Sequence, residues 1–186
     1  ASEESLPTIQ CAPCGPAFIS NKEDGDLAIH RINRRLRDNP GLSMALDLEG
    51  RLGGRRGHIE CMQIAVDPVD DRQQQLIYVF DTETRGSQYL GTGLLREILE
   101  DGGVPKIVHC SYGDASALFN EYRIELRGSF DTGVADCIIR QTGLNRQRRL
   151  DKVISDHVDG AVLQYKGEME FVPGMFAVRP MPRRLF

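Results

Sequence analysis

Three apolar runs with short connections constrain this chain more than any other feature. Residues 43–48, 59–66 and 76–80 each read as a strand. The first two are joined by a Gly- and Arg-rich turn from Gly50 to His58, the last two by a polar stretch opening on Asp67-Pro68. A parallel pair needs a crossover of a dozen or more residues, usually a helix, and neither connection has room for one. The three strands are therefore expected to pair as an antiparallel meander.

Helical patterns flank the meander. Residues 23–37 carry Leu27, Ile29, Ile32 and Leu36 near helical spacing, with Asn21 as N-cap and Asn39-Pro40-Gly41 as the stop. Arg31, Arg34, Arg35 and Arg37 form its solvated face. Leu94, Leu95, Ile98 and Leu99 mark a helix closed by Asp101-Gly102-Gly103, and residues 106–109 a short buried strand. Residues 115–122 read as a helix with Leu118, Phe119 and Tyr122 inward. Asp131 caps another helix that buries Val134, Ala135, Ile138 and Ile139, and residues 150–158 form one more. Residues 17–20 make a short strand, and residues 1–16, with Pro7, Pro13 and Pro16, read as an arm or linker. This order predicts an α/β fold of ribonuclease H-like type, with a mixed sheet, an antiparallel three-strand meander and flanking helices, over residues 17–186.

Composition narrows the class. A formal charge of −4 does not suit a generic basic coat for nucleic acid, and no apolar stretch approaches the roughly 18 residues of a membrane span. Of five cysteines, Cys61, Cys110 and Cys137 sit in apolar segments, which reads as reduced thiols in an intracellular setting. Cys11 and Cys14 form a C-x-x-C with no second ligand pair nearby, so a loop is expected there rather than a zinc site.

Asp47 and Glu49 stand at i and i+2 at the end of an apolar run. A strand puts both on one face, where two like charges are costly unless a cation lies between them. Oxygen donors suit Mg²⁺ or Mn²⁺. A strand end turning into solvent explains the pair equally well. Asp114 opens a helix after the strand that ends at His109, where the helix dipole favours an acid whatever its function. Asp131 and Asp136 suit structural roles.

Taken in order, Ala45-Leu-Asp-Leu-Glu-Gly50, Lys106-Ile-Val-His109 through Asp114, and Phe130-Asp-Thr132 resemble the DEDD superfamily of 3′–5′ exonucleases, over about residues 17–141. The Gly50–Gly57 turn and the His109-Cys-Ser-Tyr-Gly-Asp114 spelling are closest to the Egalitarian-like branch, similar to ribonuclease D. The resemblance implies a two-ion site of Mg²⁺ or Mn²⁺ with catalytic and metal-binding roles for Asp47, Glu49 and Asp114. Asp47 would bridge both ions, Glu49 would serve the water-activating ion and Asp114 the other. It implies that Leu48, Gly50, Arg51, Arg55, Arg56, His109 and Tyr112 contact nucleic acid, and it favours RNA over DNA.

The family's last motif, Tyr-x3-Asp or His-x3–5-Asp, finds no separate match. Tyr165 has Met169 four residues on, and His109 with Asp114 already occupies the second motif. The segment from Arg179 to Phe186 resembles the stretch just before the motif's helix, so the chain is expected to stop one helix early and to show little or no nuclease activity by itself. The start, lacking Met, reads as trimmed. The alternative function is a non-catalytic RNA-binding or scaffolding subunit of a ribonucleoprotein, with protein partners and a cytoplasmic or mitochondrial location. Clusters at Arg51, Arg55 and Arg56, at Arg146, Arg148 and Arg149, and at Arg179, Arg183 and Arg184 predict a basic rim around an acidic centre.

Overall fold

A computed structural model of the chain describes residues 16–52, 57–69 and 75–158. The N-terminal C-x-x-C, the predicted arm, Arg55, Arg56 and everything from Asp159 onward, including Tyr165 and the last arginine cluster, lie outside the described residues.

Helix α1 (Lys22–Asp38) follows strand β1 (Ala17–Ile19) and begins where the sequence says it should. The Asn21 side chain accepts from the Asp24 amide at 2.9 Å, and Glu23 and Asp24 lie at the positive end of the helix dipole. Ala28, Ile29, Ile32 and Leu36 recur every three to four residues and form its buried face.

The meander is present as β2 (Met44–Arg51), β3 (His58–Val66) and β4 (Leu76–Asp81), each antiparallel to the next. Strand β1 joins β4 in parallel. Strand β5 (Lys106–Val108) joins the other side of β2 in parallel, and β6 (Ser129–Asp131) joins β5. The six-stranded order is β1-β4-β3-β2-β5-β6. Alternation along β2 buries Met44, Leu46 and Leu48 and leaves Ala45, Asp47 and Glu49 on the open face.

Between β4 and β5 run α2 (Thr82–Leu90) and α3 (Leu94–Glu100). Only α3 has a periodic apolar signature. Helix α2 rests on the Asp81 cap, whose carboxylate accepts from the Thr84 amide, and on Tyr89 and Leu90, which enter the core beside Phe80. Helix α4 (Tyr112–Tyr122) packs on β2 and β3. It buries Leu118, but Phe119 is exposed beneath the Arg123 guanidinium rather than inward.

Helix α5 (Thr132–Ile139) differs most from expectation. Ile138 and Ile139 are 68% and 64% exposed, while Gly133, Asp136 and Cys137 face inward. The cause is an ion-pair cluster. Asp136, 1% exposed, accepts from Arg148 at 2.5 and 3.0 Å and from Arg140 at 2.8 Å, and His157 lies 3.4 Å away. The inward face of α5 thus carries a buried carboxylate paired by two guanidiniums, and Ile138 and Ile139 lie off that face. The cluster fastens α5 to a 3₁₀ turn (Leu144–Arg146) and to α6 (Leu150–His157). It also removes Arg148 from the expected basic rim, since its remaining nitrogen bonds Asp156 at 2.6 Å. Cys61 and Cys137 are buried, and Cys110 is half-buried. Among the described residues no helix is long and apolar enough to cross a membrane.

Candidate active site

Strands β2 and β5 run parallel, so their carboxyl ends emerge at the same edge of the sheet. That edge is where open α/β sheets bind ligands. Asp47 lies midway along β2 and Glu49 nearer its carboxyl end, since the strand runs past the expected Leu48 to Arg51, and β5 leads through a short turn into α4, whose first turn carries Asp114. The pairing of β2 with β5 is registered at Met44–Lys106 and Ala45–Ile107. Further along β2, the Leu48 backbone lies near enough to Asp114 to favour its ionised form.

The three carboxylates feel one another. Asp114 is 7% exposed, and burial followed by the charge of Asp47 pushes its carboxyl up to about 6; Glu49 adds to the rise. The backbone amides of Asp114 itself and of Leu48 act the other way and lose. Partial burial, then Asp47, raises Glu49 as well. Gln63, opposite Asp47 in the register, reaches one of its oxygens at 3.5 Å.

A divalent cation suits this set by chemistry. The donors are all carboxylate oxygens, Asp47 and Glu49 oppose the ionisation of Asp114, and Asp114 Oδ1 is buried with no hydrogen-bond partner. As the side chains stand, no group of three His, Cys, Asp or Glu among the described residues closes to ligand spacing.

The remaining candidates fall into two sets. Tyr112 is 87% exposed beside Asp114, and Arg51 is exposed at the tip of β2. Gly50 sits at the β2–β3 bulge with φ of +140°, and a Cβ there would meet the His58 carbonyl at 2.3 Å, so this turn requires glycine. His109, by contrast, is spent on the protein. Its Nε2 donates to the Arg148 carbonyl at 2.9 Å, and its Nδ1 lies 2.8 Å from Thr132 Oγ1. Neither ring nitrogen is offered to a ligand.

Two features of the turn carried no sequence signal. Cys110 adopts φ of +54°, a left-handed conformation that costs a non-glycine residue about 1 to 3 kcal/mol. Asp131 caps α5 as expected but also accepts from Cys110 and Ser111 across the turn. An Asp before a helix announces a cap; nothing in the spacing announces the second set of bonds.

No protein-family model matches the chain, and no curated protein matches it in sequence. Its fold, however, is shared with solved structures. Ribonuclease D of Trypanosoma brucei, solved with RNA U12, superposes with a TM-score of 0.63 at 17% identity, over 92% of this chain and 56% of that one. The catalytic core of RRP6 from the same organism gives 0.58 at 19% identity, over 92% and 41%. Escherichia coli ribonuclease D gives 0.56 at 18% identity, over 91% and 39%. The EXD2 exonuclease domain, also solved after soaking in Mg and GMP, gives 0.51 at 20%, over 77% and 69%. The chain spans about half the length of the ribonuclease D structures from Trypanosoma brucei that it matches. Its mixed sheet and flanking helices have the ribonuclease H-like fold of these 3′–5′ exonuclease domains.

Proposed function

We propose that this chain holds three of the four carboxylates of a DEDD-type 3′–5′ exonuclease centre, binds the 3′ end of RNA there, and belongs with the Egalitarian-like branch. The observation that carries the proposal is the convergence of Asp47, Glu49 and Asp114 at one sheet edge, with a buried, unpartnered oxygen on Asp114. The RNA in the Trypanosoma brucei ribonuclease D structure supports RNA as the ligand.

Asp47, Glu49 and Asp114 would hold Mg²⁺ or Mn²⁺. Such a pair of ions, when bound, supplies Lewis-acid stabilisation of charge developing at a phosphodiester. The chain's own groups do the rest. Strand β2 holds Asp47 and Glu49 at fixed spacing, and the start of α4 brings Asp114 toward them. The Leu48–Gly50 backbone offers a ledge for the terminal nucleotide, with Arg51 placed for its phosphate and Tyr112 for stacking on a base.

A second reading has its own support. The sequence contains no separate Tyr or His spaced before an Asp to orient water, and His109 has both nitrogens engaged by Arg148 and Thr132. We therefore propose that the chain as it stands binds RNA with little cleavage, as a subunit of a ribonucleoprotein would. Mn²⁺ titration with a 3′-labelled oligoribonucleotide, following anisotropy and product release together, tests both. Mn²⁺-dependent binding that Asp47→Asn and Asp114→Asn abolish supports the site. Binding indifferent to Mn²⁺ and to both variants would overturn it, and robust nucleotide release would overturn the weak-cleavage reading alone.

A further inference from the structure

The turn between β5 and α4 decides where Asp114 stands, and one carboxylate outside the site holds that turn. The two oxygens of Asp131 serve different elements. Oδ1 accepts from the Gly133 amide at 2.8 Å and the Val134 amide at 3.3 Å, which caps α5, and from the Cys110 amide at 3.0 Å. Oδ2 accepts, among the described residues, from Ser111 alone, from its amide at 2.8 Å and its hydroxyl at 2.9 Å. Ser111 is the N-cap residue of α4, yet its side chain makes no capping bond to its own helix. Its hydroxyl is turned to Asp131, while its carbonyl accepts from the Ala115 amide in the first turn of α4. Asp114 lies between those two residues. The turn is also fastened from a second side, where His109 Nε2 bonds the Arg148 carbonyl. Cys110, held left-handed between these anchors, shows that the backbone does not take this path unaided.

We infer that Asp131 is a positioning residue for Asp114, acting through the bonds from its Oδ2 to Ser111, and not only the cap of α5. The functional half of this inference rests on the proposed carboxylate centre; the positional half does not. Asp131→Asn separates the two roles. An amide that keeps its oxygen at the Oδ1 position preserves the cap and the Cys110 bond, but places NH₂ against the Ser111 amide; the Ser111 hydroxyl, which can accept, turns from donor to acceptor. The opposite orientation would forfeit three bonds instead of one.

The experiment uses the full chain as wild type, Asp131→Asn and Ser111→Ala, with Asp131→Ala as the variant that also loses the cap. Amide hydrogen exchange is read residue by residue, and Mn²⁺ affinity by electron paramagnetic resonance. In Asp131→Asn the Ser111 and Ala115 amides should exchange about tenfold faster or more, while Gly133 and Val134 stay within about twofold. Mn²⁺ affinity should fall about tenfold with it, and Ser111→Ala should move both readouts in the same direction by less. Unchanged exchange at Ser111, or equal loss at Gly133 and Val134, would overturn the inference and leave Asp131 a helix cap. Absence of Mn²⁺ binding in the wild type would sink the metal centre instead, and the exchange pattern would then decide the positional claim alone.

Discussion

Replacing Asp114 by Asn should make the metal-free chain more stable at neutral pH, although it removes a buried residue's charge from the centre of the site. The Asp114 carboxyl titrates at about 6 in the folded chain against an ordinary 3.8. The folded chain therefore holds this proton more tightly than the unfolded chain does. As far as this group is concerned, stability is greatest below pH 3.8 and falls as pH rises through 6. At about 1.36 kcal/mol per pH unit, ionised Asp114 costs the folded state about 3 kcal/mol above that range. Asn keeps the size and an acceptor oxygen without the charge. Asp114→Asn should exceed wild type by up to about 3 kcal/mol at pH 8, or about 6 to 12 °C in Tm, and the gap should close near pH 4. Urea unfolding across that pH range measures it. Mn²⁺ should close the gap: at a hundredfold excess over its dissociation constant a bound ligand adds about 2.7 kcal/mol, available to wild type and not to the variant. Equal stability of the two chains at pH 8 would refute the electrostatic reasoning, because carboxylates that do not repel one another need no cation.

Four further outcomes follow from the same geometry. Asp136→Ala should lower Tm several times more than removing the exposed Glu125–Arg127 pair, because it strands Arg140 and Arg148 around α5; calorimetry compares them. Those two arginines hold the Asp136 carboxyl below its ordinary range, so its contribution should be present above about pH 4 and vanish as acid protonates it, which acid unfolding of wild type against Asp136→Asn would show. Gly50→Ala should destabilise by about 2 to 3 kcal/mol in urea unfolding, because the new Cβ meets the His58 carbonyl in a backbone conformation that alanine rarely adopts. Tyr112→Ala should leave Tm unchanged and weaken oligoribonucleotide binding by about 1 to 3 kcal/mol, as anisotropy would report.

The difference between what could and could not be read from the sequence is a difference in the range of the forces involved. The meander was legible because strand alternation and short connections are local constraints, and α1 because its cap and apolar stripe lie within its own span. Asp47 and Glu49 were legible as a pair because i and i+2 share a face of any strand. Helix α2 was not, since it rests on the Asp81 cap and on Tyr89 meeting Phe80, with no stripe of its own. The face of α5 was misread for a related reason. Ile138 and Ile139 promise burial by local pattern, but the inward face carries Asp136, whose partner Arg148 lies twelve residues away, beyond any helical period. The same gap hides the fate of His109. Its spacing to Asp114 invites a ligand role, but Thr132 and the Arg148 carbonyl, distant in sequence, take both its nitrogens. What local patterns leave out here is the set of long-range polar bonds through Asp131, Asp136 and Arg148. Those bonds fasten α5 and the turn before α4, and so they govern how closely Asp114 can approach Asp47 and Glu49.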